Sequence, residues 1–385
     1  MGCAVGQTGA TSAGEDAAST GAGLQPPTVQ GRTKVEQARL SPRRWATTLA
    51  VLAAASLFVS IVCLQFGAEE IGLTQAVQIL FEALGRSQAG VESFGPAGTI
   101  LLQVRLPRLL LAFMVGACLA SVGVALQALL RNPLADPYVL GISSGAALGA
   151  GVAILLGLTG SVLAFSALPL CAMAGGLLSV LVVYRIAASY GYLPVHTLLL
   201  AGVILNAIFS ALVMFITSIM EPNRSFGMMS WLMGTLTAPD YPALLVLAGY
   251  LFVGILVLFR QAPSLNLLTL GEEAARSLGV EVEAVKKAVF FTSALLTGAV
   301  VSVSGMIGFI GMVIPHAMRM TTGADHRLLF PASALAGGLF LMAADTVART
   351  LLAPAEIPVG VITALAGGPF FIYLLMSRKG GLAGC

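Results

Sequence analysis

The sequence predicts an all-α, polytopic membrane protein with about ten transmembrane helices, and three observations lead to this fold class. The 385 residues are 57% apolar and only 10% charged, whereas soluble domains carry roughly 25% charged residues. Apolar runs recur along the chain at lengths near the roughly 17–25 residues that cross a bilayer. The 44 glycines and the low aromatic content favour close packing of helices in lipid.

The chain before the first apolar run differs from the rest in composition. Residues 1–44 are rich in Gly, Ala, Ser and Thr and become basic towards their end. This composition predicts a disordered cytosolic tail, followed by a membrane domain over 45–379. A cleavable signal peptide would place its positive charges at the very start, so we interpret the first apolar run as a membrane anchor.

Each predicted span is an apolar run of suitable length. The eighth is short and contains Pro315, so we expect a helix that is broken or crosses only in part. The predicted spans are 46–66, 107–130, 138–158, 162–187, 197–219, 241–259, 287–304, 306–322, 328–351 and 357–376.

The distribution of Lys and Arg orients these spans. With both termini inside, fifteen of the 20 basic residues fall on the inner side and five on the outer side, which is the positive-inside asymmetry. The outer residues are Arg86, Arg105, Arg108, Arg224 and Arg349. We therefore predict that both termini are cytosolic.

A weak internal match predicts a possible inverted repeat. The spacing of Gly116, Gly123 and Pro133 equals that of Gly298, Gly305 and Pro315. In the predicted topology the two spans run in opposite directions, as in many transporters. Glycine-rich helices also produce such matches by chance, so the repeat and a coincidence stay equal alternatives.

The sequence lacks the motifs of several enzyme classes. No G-x-x-x-x-G-K-[ST] or H-E-x-x-H occurs, and the five scattered cysteines have neither disulfide nor metal spacing. The run over 141–145 matches the G-x-S-x-G elbow of hydrolases. Because its glycines continue at four-residue spacing to Gly149, we interpret it as close helix packing, with a hydrolase built on Ser143 as the remote alternative. No catalytic residue, metal site or cofactor is predicted.

A carrier driven by protons or sodium would normally place acidic residues in mid-span. Asp345 in the ninth span is the main candidate, but it lies four residues before Arg349. We favour an ion pair on one helical face, in which case the energy for transport comes from elsewhere. An ion-coupled secondary transporter remains the alternative.

The longest inner loop, about 261–286, predicts a short helix. Thr269 stands three residues before Glu272 with capping-box spacing, and Gly279 occupies the expected C′ position. An apolar ridge on this helix could enter a groove of a cytosolic partner, and an ordinary surface helix is the equal alternative. The ridge consists of Leu270, Ala274 and Leu278.

Four stretches carry a resemblance to a known family. E-A-A-R-S-L-G over 273–279 resembles the coupling motif of ABC importer permeases. Three further stretches restrict the resemblance to one family of these permeases. They are R-L-P-R over 105–108, Q-A-L-L-R-N-P-L-A-D-P over 127–137 running into 141–146, and G-M-I-G-F-I-G-M-V-I-P-H over 305–316. From about residue 45 to 379 the chain resembles the FecCD-type permeases, which import iron-siderophores, haem and cobalamin.

The resemblance implies a type II ABC importer permease. It implies a homodimer with the path along its two-fold axis, two ATP-binding cassette ATPase subunits below, and a periplasmic or surface substrate-binding protein above. The surroundings are the cytoplasmic membrane of a bacterium, and no nucleic acid takes part. The expected cargo is an iron-siderophore or haem, with cobalamin as the alternative, and a heterodimer with a second permease stays open.

The resemblance also implies roles for particular residues. Arginines at the outer end would bind carboxylates of the binding protein, with snorkelling to headgroups as the alternative. At the inner gate this chain has Pro, Val and His where some relatives have small hydroxyl residues, so the chemistry of the gate differs. Asn206 is expected to line the path, and a helix–helix hydrogen bond is the equal alternative for its side chain. The ATPase-coupling residues are Glu272, Glu273, Ala274, Ala275, Arg276 and Gly279; the docking residues are Arg105, Arg108 and Arg349; the gate and path residues are Pro194, Val195, His196, Asn206 and Ser210.

Overall fold

The computed structural model describes residues 42–85 apart from 68 and 70, 95–158, 161–188 apart from 163 and 164, and 192–380. Most of the predicted N-terminal tail, up to residue 41, therefore lies outside the described residues. The first helix begins at Pro42, so Arg43 and Arg44 belong to its first turn and not to the tail.

The described chain is almost entirely helical, as predicted. A two-residue antiparallel pair, Ser161–Val162 with Phe165–Ser166, is the strand structure in the part of the chain described. The helices are α1 (Pro42–Gln65), α2 (Leu73–Gly85), α3 (Gly95–Leu129), α4 (Ile142–Leu155), α5 (Ala167–Ala187), α6 (Val195–Ile219), α7 (Pro222–Leu232), α8 (Tyr241–Arg260), α9 (Ala262–Leu268), α10 (Glu272–Ser277), α11 (Val282–Ser304), α12 (Ile310–Thr322), α13 (His326–Thr350) and α14 (Val359–Gly380).

Each predicted span overlaps a described helix. Seven of these helices (α1, α3, α5, α6, α8, α11 and α13) are long and apolar enough to cross a membrane, while α4 and part of α14 are shorter apolar helices. The eighth predicted span corresponds to α12, which has 13 residues and contains Pro315, as expected of a short element. The second span begins earlier than predicted, because α3 starts at Gly95 and includes a π-helical segment over Ile100–Arg105.

Helix α3 forms the centre of the described domain. It is apolar on all sides, which is typical of a buried helix, and it packs against α13, α11 and α12. Two contacts require glycine: a Cβ on Gly116 would overlap the carbonyl oxygen of Gly337, and one on Gly123 would overlap that of Gly311. Small residues thus allow the backbones to approach closely, as expected for helices in lipid.

The residues matched in the proposed repeat do not occupy equivalent places. Gly116 lies at a tight helix crossing, whereas nothing lies within 4 Å of a Cβ built on Gly298. Gly123 lies inside α3, whereas Gly305 ends α11 with a φ of 64°. The matched glycines therefore differ in their surroundings, and the inverted repeat stays a prediction.

The G-x-S-x-G run packs helices together, as the sequence indicated. Gly141 has a φ of 76° and precedes α4, and a Cβ on Gly149 would overlap the carbonyl oxygen of Cys171 in α5. Ser143 is buried, at 3% exposure. A hydrolase nucleophile must be accessible at the elbow, and this serine is not.

Candidate functional site

The predicted coupling helix is present as α10, although it is shorter than two turns. It is bounded by two glycines with positive φ, Gly271 at 115° and Gly279 at 86°, so the expected C′ glycine is confirmed. Ala275 is fully buried, whereas Glu273 is exposed. The helix therefore rests on the membrane domain through one face and presents Glu273 outwards.

The predicted capping box is wrong. The Thr269 hydroxyl donates a hydrogen bond of 2.7 Å to the carbonyl oxygen of Asn266, and Gly271 holds the N-cap position. The Glu272 carboxylate turns instead to Lys286, at 2.7 Å. A long-range ion pair therefore replaces the local contact that the spacing suggested.

The apolar ridge of the coupling helix lies at the surface. Leu270 is 67% exposed and Leu278 is 59% exposed, with the half-buried Ala274 between them. Exposed large hydrophobic residues that cluster beside charges are typical of a protein–protein contact.

Five charged side chains surround the base of α10, and we call them the inner ion cluster: Arg131, Glu272, Arg276, Glu283 and Lys286. The Lys286 Nζ atom lies 2.7 Å from Glu272 Oε2 and 3.2 Å from Glu283 Oε1. The two arginines are more distant, at 3.5–4.0 Å from the carboxylates, and their side chains are about half exposed. Only the Lys286 side chain in this cluster is nearly fully buried, at 4% exposure.

The inner ion cluster contacts the segment that precedes α6. The Leu193 backbone N–H donates to Glu283 Oε2 at 2.8 Å, and Lys286 Nζ donates to the Leu193 carbonyl oxygen at 3.4 Å. The Arg276 guanidinium stands 5.9 Å from the ring centre of Tyr192. A cavity of about 280 Å³ lies between the cluster and the start of α6. The structure thus brings together the predicted coupling residues and the predicted gate.

The three gate residues form the start of α6. Pro194 is its N-cap, with a φ of −66°, and Val195 and His196 lie in the first turn. Pro194 and His196 are exposed and Val195 is half-buried. Proline fixes φ and withholds a donor, so this helix has a rigid entry and its first turn is open to the cavity.

The two polar path residues lie on the exposed side of α6. Asn206 and Ser210 are both exposed, and no hydrogen bond from either side chain is found among the described residues. The opposite stripe of α6 is buried against the chain, including Leu198 and Leu205. Among the described residues, Asn206 thus lacks the helix–helix hydrogen bond that was its alternative role.

Arg105, the first of the predicted docking residues, is engaged within the chain. Its guanidinium donates to the carbonyl oxygens of Leu64 at 2.9 Å and Gln65 at 3.1 Å, and also to that of Glu69. The residue is only 4% exposed. It satisfies the C-terminal carbonyls of α1, where a cation is favourable, so its fork is not free to hold a carboxylate of another protein in this structure.

Arg108 and Arg349 both pair with Asp345. Arg108 Nη2 lies 3.0 Å from Asp345 Oδ1, and Arg349 Nε lies 3.2 Å from Asp345 Oδ2. Arg108 also pairs with Glu356 at 2.9 Å, and the Glu356 side chain is 54% exposed. Arg349, at 8% exposure, is therefore engaged within the chain, whereas Arg108 also contacts an exposed carboxylate.

The same contacts decide the role of Asp345. The i,i+4 pair with Arg349 is confirmed, and the bridge to Arg108 adds a second cation to the same carboxylate. A carboxylate that is buried and held by two guanidinium groups is poorly suited to bind and release a transported ion.

Asp136 lies in the connection between α3 and α4. Its carboxylate accepts a hydrogen bond of 2.9 Å from the Tyr138 backbone N–H and caps the 3₁₀ turn Pro137–Leu140. Burial raises the pKa of this carboxyl to about 6, partly offset by that hydrogen bond.

Sequence reasoning missed the residues that link the two predicted sites. Glu283 and Lys286 are three residues apart at the start of α11, a spacing that indicates a pair on one helix face. The contacts of Lys286 with Glu272 and Leu193 bridge 14 and 93 residues of chain, and no local pattern reports them.

Comparisons with known proteins match most of the chain. The model of the FecCD transport family matches residues 52–377. The hemin transport system permease HmuU of Yersinia pestis is 45% identical, covering 73% of this chain and 84% of that protein. The cobalamin import permease BtuC of Halobacterium salinarum is 44% identical, covering 74% and 75%.

Two further matches cover more of the chain. A probable iron chelatin permease of Helicobacter pylori is 36% identical over 86% of this chain and 98% of that protein. A metal-chelate-type ABC transporter, solved in an inward-facing conformation, has a TM-score of 0.72 and 32% identity, covering 86% of this chain and 99% of its own.

Proposed function

Because the chain belongs to the FecCD transport family, we propose that it carries an iron-containing chelate through the cytoplasmic membrane when an ATPase pushes on α10. The chain is a multi-pass membrane permease of the ABC importers for metal chelates, haem and cobalamin, and separate subunits hydrolyse the ATP. Haem or an iron-siderophore is the proposed cargo, since the relatives include haem and iron chelate permeases, and cobalamin is the second candidate.

One observation carries the coupling role: α10 presents an exposed acid, Glu273, between two exposed leucines that flank the helix. Glu272 at the start of α10 is ion-paired to Lys286, and Lys286 donates a hydrogen bond to the segment before α6. An ATPase surface that holds Glu273 between the two leucines would push on α10 directly. The proposed coupling set keeps Glu272, Glu273, Ala274, Ala275, Arg276 and Gly279.

The gate and path residues support the same function. Pro194, Val195 and His196 border the inner cavity, and Asn206 and Ser210 lie on the exposed side of α6. Polar side chains are costly against lipid, so we place this side along an aqueous path. A second copy would enclose the path by packing its own α6 there, and light scattering of the purified permease checks for a mass of two chains.

Docking of a substrate-binding protein is proposed for the outer end around Arg108. The exposed Glu356 occupies part of its fork, and a carboxylate from the binding protein would exchange with it. Both termini are proposed to be cytosolic, because this orientation places most Lys and Arg inside.

The test is Glu273→Arg in the permease reconstituted with its partner ATPase. We expect uptake to fall to background, because a cation replaces the exposed acid at the contact, while the permease keeps its own oligomeric state and its binding-protein affinity. Lys287→Met, an inner substitution outside α10, is the control. Wild-type uptake in Glu273→Arg would refute the coupling role.

The cargo is identified by comparing the uptake of three substrates. Labelled haem, a ferric siderophore and cobalamin are offered in turn to vesicles that contain the complete importer. Uptake of haem or the siderophore supports the proposal, and uptake of cobalamin alone replaces it with the second candidate.

A further inference from the structure

Leu193 has an unusual set of hydrogen-bond partners. Its backbone N–H donates to Glu283 at 2.8 Å, and its carbonyl oxygen accepts from Lys286 at 3.4 Å. Its side chain is buried, at 2% exposure. Buried backbone groups are normally paired within secondary structure, but here both polar groups of one residue are held by ionised side chains of another helix, α11.

The same lysine holds the coupling helix. Lys286 Nζ lies 2.7 Å from Glu272 Oε2, at the first residue of α10, and its side chain is 4% exposed. One buried ammonium group therefore touches α10, α11 and the segment directly before the gate. Among the described residues, the charged groups that face it are Glu272 and Glu283, with Arg276 and Arg131 behind these carboxylates.

We propose that Lys286 is the positioning residue that transmits the movement of α10 to the gate. This inference rests on the proposed function, because it assumes that an ATPase moves α10. When α10 is displaced, Glu272 moves with it, and the ion pair with Glu272 moves Lys286. Because Lys286 and Glu283 are both hydrogen-bonded to the backbone of Leu193, Leu193 then moves as well. Since Pro194 follows and begins α6, the pull reaches the first turn of α6 without an intervening flexible segment.

Burial explains why this contact transmits force while its neighbours do not. Separating a buried ammonium group from its carboxylate leaves an uncompensated charge, which is strongly unfavourable. The pairs of Arg131 and Arg276 are longer and about half exposed, and water replaces such contacts at little cost. The least costly response to a displacement of α10 is thus that Leu193 follows.

The experiment measures gate movement apart from ATPase binding. A cysteine is introduced by Val195→Cys in the complex with the partner ATPase, and its maleimide labelling rate is compared without nucleotide and with ATP plus vanadate. In the wild-type background we expect the trapped state to change this rate about tenfold. With Lys286→Met the ATPase should still bind and hydrolyse ATP, but the labelling rate should change less than about twofold and transported substrate per ATP should fall.

Matched variants separate a transmission role from a folding defect. Lys287→Met removes the adjacent lysine, for which no ion pair is found among the described residues, and should respond like the wild type. Glu272→Gln leaves Lys286 paired with Glu283, so it decides the question if Lys286→Met does not fold, and we expect it to weaken the labelling response. The exchange Glu272→Lys with Lys286→Glu should restore part of the response.

Two failures are distinguishable. If the ATPase binds and Lys286→Met and Glu272→Gln both retain the full nucleotide-dependent labelling change, Lys286 does not transmit the movement and the inference is overturned. If the wild-type permease binds no ATPase, the proposed function itself fails.

Discussion

At the scale of single residues, two arginines that the sequence placed on one helix face differ in burial and in their partners. Arg105 and Arg108 are three residues apart, which predicted a common face. The π-helical segment ends at Arg105, and the two guanidinium groups reach different partners, the end of α1 and Asp345. Neither the π segment nor the burial of Arg105 has a signal in the sequence.

The docking proposal therefore depends on Arg108 and predicts opposite effects for two substitutions. Arg108→Glu should weaken binding of the substrate-binding protein, whereas Glu356→Gln should strengthen it by freeing one side of the Arg108 fork. Each change should amount to about 1 kcal/mol, roughly fivefold in Kd, and should shrink as salt is added. Titration of the binding protein onto permease nanodiscs measures both values. Equal affinities for the wild type and both variants would place docking elsewhere.

Asp136 predicts a pH dependence of stability. Burial raises the pKa of Asp136 in the folded state to about 6, above the ordinary carboxyl value of 3.8, so the folded state binds this proton more tightly than the unfolded state. The contribution is fully present below about pH 4 and is lost as the pH rises through 6, by about 1–2 kcal/mol for a carboxyl that keeps some exposure. Thermal unfolding from pH 4.5 to 7.5 measures this effect, and the unfolding temperature of Asp136→Asn should fall less with rising pH than that of the wild type. Identical slopes would show that the carboxyl titrates alike in both states.

At the scale of elements, periodicity and length predicted the apolar helices well, but the partners of each helix were not predictable. The spacing match treated Gly116 and Gly298 as equivalent, although only Gly116 meets another backbone. The coupling helix was predicted from its acids and its final glycine, whereas its N-cap was wrong because Glu272 pairs with a distant lysine. A sequence pattern predicts which face of a helix is apolar, but it does not predict which neighbouring helix packs against that face.

The two glycines provide a matched pair of substitutions. Gly116→Ala should destabilise the permease by about 1–3 kcal/mol, because its Cβ would force α3 and α13 apart. Gly298→Ala, in the interior of α11 with open space around it, should be neutral or stabilising by up to about 1 kcal/mol. Thermal unfolding in detergent measures both. A loss of stability in Gly298→Ala as large as in Gly116→Ala would contradict the described packing.

At the scale of the whole molecule, the chain is a permease without a described energy source of its own. The mid-span acid Asp345 is held by two arginines, and the sequence contains no Walker motif. Composition and span lengths were enough to predict the membrane fold, and four motifs identified the family. The cargo was not predictable, because an exposed, mainly aliphatic α6 offers few side chains that could select one chelate.

The most direct test measures uptake by proteoliposomes with and without the partner ATPase. We expect accumulation of the chelate only when the ATPase, ATP and the substrate-binding protein are all present, and none when the permease alone is given a proton or sodium gradient. Accumulation by the permease alone would contradict the account, because it would place the energy source within this chain.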